Sequence, residues 1–186
     1  MEKRHIITIA GDHASGQGSL ANTLQRDLGY EIYRNGQYAR KLAKEMGMTI
    51  VEFQQYLNEH EELDRQIEKS ASDYAKTHDN LVVDAKLGWY AIPDSFKIYL
   101  KVDINKAAQR VFNDEKRKDT EHFESIEDAK EQIIFRHNEE NVRWLKTYGI
   151  NRDDMSNYDF VLDTTDLSIE ETNTIVIQAY KKWLDE

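Results

Sequence analysis

The stretch that decides the fold is Gly11-Asp12-His13-Ala14-Ser15-Gly16-Gln17-Gly18-Ser19. It follows the β-branched run Ile6-Ile7-Thr8-Ile9, which reads as a buried strand, and it precedes Leu20, Ala21, Leu24 and Leu28, which recur at helical spacing and stop at Gly29. Glycines between a strand and a helix let backbone N–H groups approach anionic oxygens. The helix N-terminus behind them adds unpaired donors and partial positive charge. Gly11, Gly16 and Gly18 therefore predict a phosphate-binding loop, with Ala14, Ser15, Gln17 and Ser19 completing its lining. The spacing is Gly-x4-Gly, then the position that usually carries Lys, a small residue and a hydroxyl. Here Gln17 takes the Lys place. A glutamine still donates hydrogen bonds but brings no charge, so the charge comes from another cation or not at all. Taken alone, the pattern is also open to a plain glycine-rich turn entering a helix.

Outward from the loop the chain alternates. Tyr30 to Tyr33 reads as a second strand, Leu81 to Asp84 as a third, Phe96 to Val102 as a fourth and Tyr158 to Asp163 as a fifth. Gln37 to Lys76 is polar and helical, with an apolar stripe of Tyr38, Leu42, Met46, Ile50, Phe53 and Leu57 broken at Gly47. A helix around Ala107 and Val111, a long one from Ile126 to Lys146 and a closing one from Ile169 to Leu184 fill the remainder. Strands separated by helices predict an α/β domain with a parallel sheet covered on both faces, and ligands on such sheets bind beyond the strands' carboxyl ends. The loop, Asp84 and Asn35-Gly36 fall at those ends.

Composition narrows the function classes. The 186 residues include no Cys and one Pro, with 39% hydrophobic and 32% charged residues, as in a globular protein that needs no disulfides. The formal charge of −10 argues against nucleic acid and anionic membranes as partners, since both recruit clustered cations. No apolar run approaches a membrane span or a signal peptide, so a cytoplasmic location is expected. Lys116-Arg117-Lys118 is flanked by Asp114, Glu115 and Asp119 and reads as a solvated lid rather than a nucleic-acid patch. The six His residues show no metal-ligand spacing.

Further stretches carry a resemblance. Asn35-Gly36 with Arg40 and Gly47, Glu62-Leu63-Asp64-Arg65, Leu81 to Lys86, Arg136, Arg143, Tyr148-Gly149-Ile150 and Asp154-Met155-Ser156-Asn157-Tyr158-Asp159 together resemble the cytidylate kinase family, in its compact archaeal-type branch. The likeness runs from about residue 5 to 180. It implies a single P-loop kinase domain over residues 1–186 with a five-stranded parallel sheet, a helical monophosphate-binding flap near 35–75 and a lid near 113–136. It implies phosphoryl transfer from ATP with Mg²⁺ to CMP or dCMP, by a monomer or homodimer. The resemblance places donor phosphates on Gly11 and Ala14 to Ser19, and Mg²⁺ near Ser19 and Asp84. The acceptor falls to Gly36, Arg40, Asp64, Arg65 and Lys86, and Gln17, Asp84, Arg110, Arg117, Arg136 and Arg143 surround the transferring group. Departures from the family pattern are Gln17 for Lys, Ala14 for a second loop Gly, Gln37 for Glu, and Asp84-Ala85-Lys86 for Glu-Gly-Arg.

Several readings stay open side by side. Arg136 and Arg143 share a helical face, which suits either a polyphosphate or salt bridges to Glu139 and Glu140. Trp89 and Tyr90 border either a base pocket or the core. The whole chain suits an active monophosphate kinase, a nucleotide-binding homologue weakened by Gln17 and serving as regulator or partner, or a kinase for a non-nucleotide acceptor.

Overall fold

The computed structural model describes residues 3–115 and 123–186, without the side chains of Ile50 and Val51. Arg117 and its two neighbouring lysines, and the Ile50 position of the apolar stripe, therefore lie outside the described residues. Strands β1 (Ile6–Gly11), β2 (Glu31–Arg34), β3 (Leu81–Asp84), β4 (Phe96–Lys101) and β5 (Phe160–Asp163) form one parallel sheet in the order β2-β3-β1-β4-β5. Central β1 is buried at every position, which explains why it reads as an unbroken apolar run rather than an alternating one.

Successive residues of β1 feed opposite layers. Ile7 and Ile9 pack with Leu20, Leu24, Val176 and Tyr180, beneath helices α1 (Gln17–Leu28) and α8 (Ile169–Asp185). Ile6 packs with Ala71, Ala75 and Ile92 on the other face. That face is covered by the last helix of the three-helix run described below, through Ala71 and Ala75, and by the segment around the short α5 (Gly88–Ala91), which follows β3. The chain crosses β1 between β3 and β4, so the carboxyl end of β1 is a topological switch point, the usual place for a ligand.

Some boundaries differ from the sequence reading, each for a local reason. Tyr30 belongs to the core rather than to β2: its hydroxyl lies 3.0 Å from that of Tyr180, and the strand runs one residue later, ending on Arg34. The long helical stretch is three helices, α2 (Asn35–Glu45), α3 (Ile50–Leu57) and α4 (Glu61–Ala75). Gly47, with φ of 70°, makes the first break, and a reciprocal cap between Thr49 and Glu52 starts α3. The second break, over Asn58 to His60, carries neither Gly nor Pro. Because α2 stops at Glu45, Met46 drops out of the stripe and is 41% exposed. Ala39 and Ala43 are the buried residues of α2, packed with Phe53, Leu57 and Ile67. Helices α6 (Ile104–Phe112) and α7 (Ile126–Tyr148) share a separate small cluster.

Candidate functional site

Gly11 ends β1, and the loop after it is tied to β4. The Asp12 N–H donates to the Leu100 carbonyl at 2.9 Å, while the Asp12 carboxylate accepts from the Tyr99 hydroxyl at 2.6 Å and the Val102 N–H at 3.1 Å. Ala14 (φ 61°) and Gly16 (φ 96°) both adopt left-handed backbone and turn the chain back into α1. An alanine there costs about 1 kcal/mol that glycine would not. The first turn of α1 has no side-chain cap and no acid of its own, so no residue of the helix itself claims its orphan donors. Ser15 is 2% exposed, and its Oγ and the Gln17 Nε2 are buried with no protein partner. Buried donors without partners are rare, and an anion held in the loop would satisfy them.

These residues line a cleft of about 760 Å³ together with Asn22, Arg34, Arg110, Asp114, Thr164, Leu167, Ile169 and Thr172. Its arginines differ in what holds them. Arg110 donates to the carbonyls of Ala14 (3.1 Å), Thr164 (2.8 Å) and Thr165 (3.3 Å), stitching the loop to the segment after β5. Arg34, which the sequence reading passed over, sets its Nε 3.5 Å from Asp84 Oδ2 and donates from Nη2 to Asn22 Oδ1 at 2.7 Å. Asp84 is pushed upward by burial and pulled back by Arg34 and Arg40. Its carboxylate lies against the first turn of α1, since a Cβ built on Gly18 would sit 3.7 Å from it. Among the described residues no three His, Asp or Glu side chains converge; Ser19, which is exposed, lines the cleft, and Asp84 lies behind it against Gly18.

A second cluster lies between α4 and α7. Asp64 is 4% exposed and accepts from the Tyr148 hydroxyl at 2.9 Å, with Arg143 Nε 3.4 Å away. Arg143 thus pairs with an acid of α4 rather than of its own helix, and it also donates to Asn58 Oδ1 at 3.3 Å. Arg65 donates to the Thr147 carbonyl at 2.6 Å and lies 5.2 Å from the Tyr148 ring. Arg40 is exposed and reaches back to the Gly36 carbonyl at 3.3 Å. Arg136 is half-buried on α7, two turns before Arg143.

Glu68 accepts from Asn35 Nδ2 at 3.0 Å, and burial, reinforced by Asp64, pushes its carboxyl up to about 8. A carboxyl that is harder to ionise when folded binds more protons in the native state between its unfolded value of 4.5 and about 8. Stability therefore falls as pH rises through that window. Glu68→Gln removes the slope: its melting temperature relative to the natural chain is expected to be more favourable at pH 9 than at pH 6. A pH-independent difference would contradict this.

Lys86 meets a carboxylate here. Its ammonium lies 2.5 and 2.6 Å from the two oxygens of Glu140, which also accepts from Arg152 at 2.8 Å. Arg152 is 5% exposed and was not singled out from the sequence. Its attraction to Tyr99 and Asp12 links this cluster to the phosphate-loop side of the sheet. Trp89 packs edge-on to Tyr158 at 5.7 Å, and Tyr90 is exposed beside Tyr148.

Comparison with known proteins adds an independent line. A profile of the Cytidylate kinase-like family matches residues 6–166. The chain is 34% identical to the cytidylate kinase of Thermoplasma volcanium over 176 residues, covering 92% of this chain and 88% of that one. It is 36% identical to the cytidylate kinase of Thermococcus kodakarensis over 160 residues, 86% and 79% of the two chains. Among solved structures, shikimate kinase from Bacteroides thetaiotaomicron superposes with a TM-score of 0.67 over 95% of this chain and 98% of that one, at 13% identity, a likeness of fold.

Proposed function

We propose, because this chain belongs to the Cytidylate kinase-like family, that it transfers the terminal phosphoryl group of ATP to a nucleoside monophosphate, with CMP or dCMP the acceptor. The observation that carries the reading is the cleft itself, where buried unpartnered donors of Ser15 and Gln17 meet two arginines at the switch point of the sheet. Donor phosphates rest on Gly16 to Ser19 and the open end of α1. Arg136 and Arg143 offset charge as it develops on the transferring group, while Arg110 holds the loop against the segment after β5. Gly36, Arg40, Asp64, Arg65 and Lys86 form the acceptor side, with Asp64 positioning Arg143. The acceptor phosphate is already an anion, so no general base is needed. A lid near residues 113–136, of which 116–122 lie outside the described residues, would close to exclude water. Mg²⁺ would be held by Ser19 and by water beside Asp84, and when bound it neutralises phosphate oxygens. The chain acts in the cytoplasm.

A second reading follows from Gln17, whose amide is uncharged: nucleotide binding with weakened transfer. The two readings share one first test. A non-hydrolysable ATP analogue added with CMP or dCMP, each at about 100 times its dissociation constant, stabilises the chain by roughly 2.7 kcal/mol per ligand. That corresponds to a rise of about 5–10 °C per ligand in melting temperature for a domain of this size. No rise with any nucleotide would defeat both readings.

A further inference from the structure

Resting on the kinase reading, we infer that Arg34 supplies the phosphate-facing cation that the loop lacks at Gln17, and is thereby a catalytic residue of this chain. The loop position that would carry a lysine holds an amide instead. That amide folds back over the end of β1, since a Cβ built on Gly11 would lie 3.0 Å from Gln17 Nε2. Among the described residues, the cations that line the same cleft and can replace that charge are Arg34 and Arg110. Arg110 is committed to three backbone carbonyls. Arg34 is differently built. It is the last residue of β2 and the register partner of Asp84, the last residue of β3. Its contacts to Asp84 and Asn22 engage Nε and Nη2 of a guanidinium that carries five N–H donors.

The geometry also explains how so long a side chain is aimed. Asn22 is on α1 one turn beyond Ser19, and Asp84 lies against Gly18, so both anchors of Arg34 flank the first turn of the helix that receives the phosphates. A cation arriving from the end of β2 approaches between the first turn of α1 and the start of α2, on the acceptor side of the loop. In the transfer step, an oxygen of the acceptor phosphate forms a bond to the γ-phosphorus while the bond to the β–γ bridging oxygen breaks. ADP leaves with that electron pair. Arg34 forms and breaks no bond; its charge and hydrogen bonds offset negative charge on the oxygens between acceptor and donor.

The test is a cycle of Arg34→Gln, Gln17→Lys, the double variant and Arg34→Lys, read as kcat and KM with ATP and CMP, with melting temperature alongside. Loss of a charge-assisted contact predicts a drop of about 10- to 100-fold in kcat for Arg34→Gln. Gln17→Lys should restore at least about tenfold in that background, and Arg34→Lys should keep more activity than Arg34→Gln. A purely structural Arg34 would lower the melting temperature and give a loss that Gln17→Lys leaves unrepaired, and that result overturns the inference. So does activity of Arg34→Gln within about threefold of the natural chain. If the natural chain transfers to no acceptor, the kinase reading fails, and binding of the non-hydrolysable ATP analogue decides Arg34 separately. At least about tenfold weaker binding in Arg34→Gln, recovered by Gln17→Lys, supports it, and unchanged affinity overturns it.

Discussion

Glu140→Ala should cost about 3 kcal/mol of stability, the low end of what breaking a buried ion pair costs because Lys86 keeps some access to solvent. For a domain of this size that is a fall of roughly 6–12 °C in melting temperature, read by calorimetry or circular dichroism. Glu140 is 13% exposed on its side chain and serves two cations, Lys86 and Arg152. Removing it leaves both without their counter-charge in the interior. Glu140→Gln keeps the shape and an acceptor, so an intermediate loss is expected. Burial alone would push the Glu140 carboxyl up, but Lys86, Arg152 and Arg143 outweigh burial and hold it at about 2. A depressed carboxyl contributes stability above its unfolded value of 4.5 that is lost as pH falls toward about 2. The acid limb of the stability profile should accordingly flatten in Glu140→Ala. A loss below about 1 kcal/mol, with the limb unchanged, would show that the three groups do not act as a unit.

Gly11→Ala should have the largest effect on nucleotide binding of any single methyl. The added Cβ would fall 2.5 Å from the Leu100 carbonyl oxygen and 2.7 Å from Ser15 Oγ. The first is backbone of the neighbouring strand, and it already accepts the Asp12 N–H that fixes the loop. Relief requires the loop to lift away from β4, which displaces Ser15 and Gln17 together. Weakening of ATP-analogue affinity by more than about tenfold is expected, with a stability loss of about 1–3 kcal/mol from overpacking. Gly18→Ala is the stability control. Its nearest neighbour is Asp84 at an ordinary 3.7 Å, so its cost should stay below about 1 kcal/mol. Equal affinity of Gly11→Ala and the natural chain in calorimetric titration would remove the loop from the account.

How much of this was legible beforehand depends on whether the signal is local. The strand, loop and helix from Ile6 to Leu28 could be read because burial on both faces makes β1 continuously apolar, while glycine marks the turn and Gly29 the helix end. The break between α3 and α4 left no mark, because Asn58 to His60 ends a helix without Gly or Pro. Arg34 could not be recognised, since its meaning comes from the parallel register that sets it beside Asp84. The partners of Glu140 are hidden for a related reason. Helical spacing offers it Arg136 and Arg143 as neighbours, but in the fold its closest ion pairs are with Lys86 and Arg152, far off in sequence or beyond the helix end. Charged residues in a P-loop kinase fold thus carry little information until the tertiary structure pairs them.

Phosphoryl transfer to a pyrimidine monophosphate is tested most directly by ADP formation in a coupled assay with ATP, Mg²⁺ and, separately, CMP, dCMP, UMP, AMP and GMP. ADP formation should depend on the acceptor and be fastest with CMP or dCMP. ADP formation with none of the five at high enzyme concentration would contradict it.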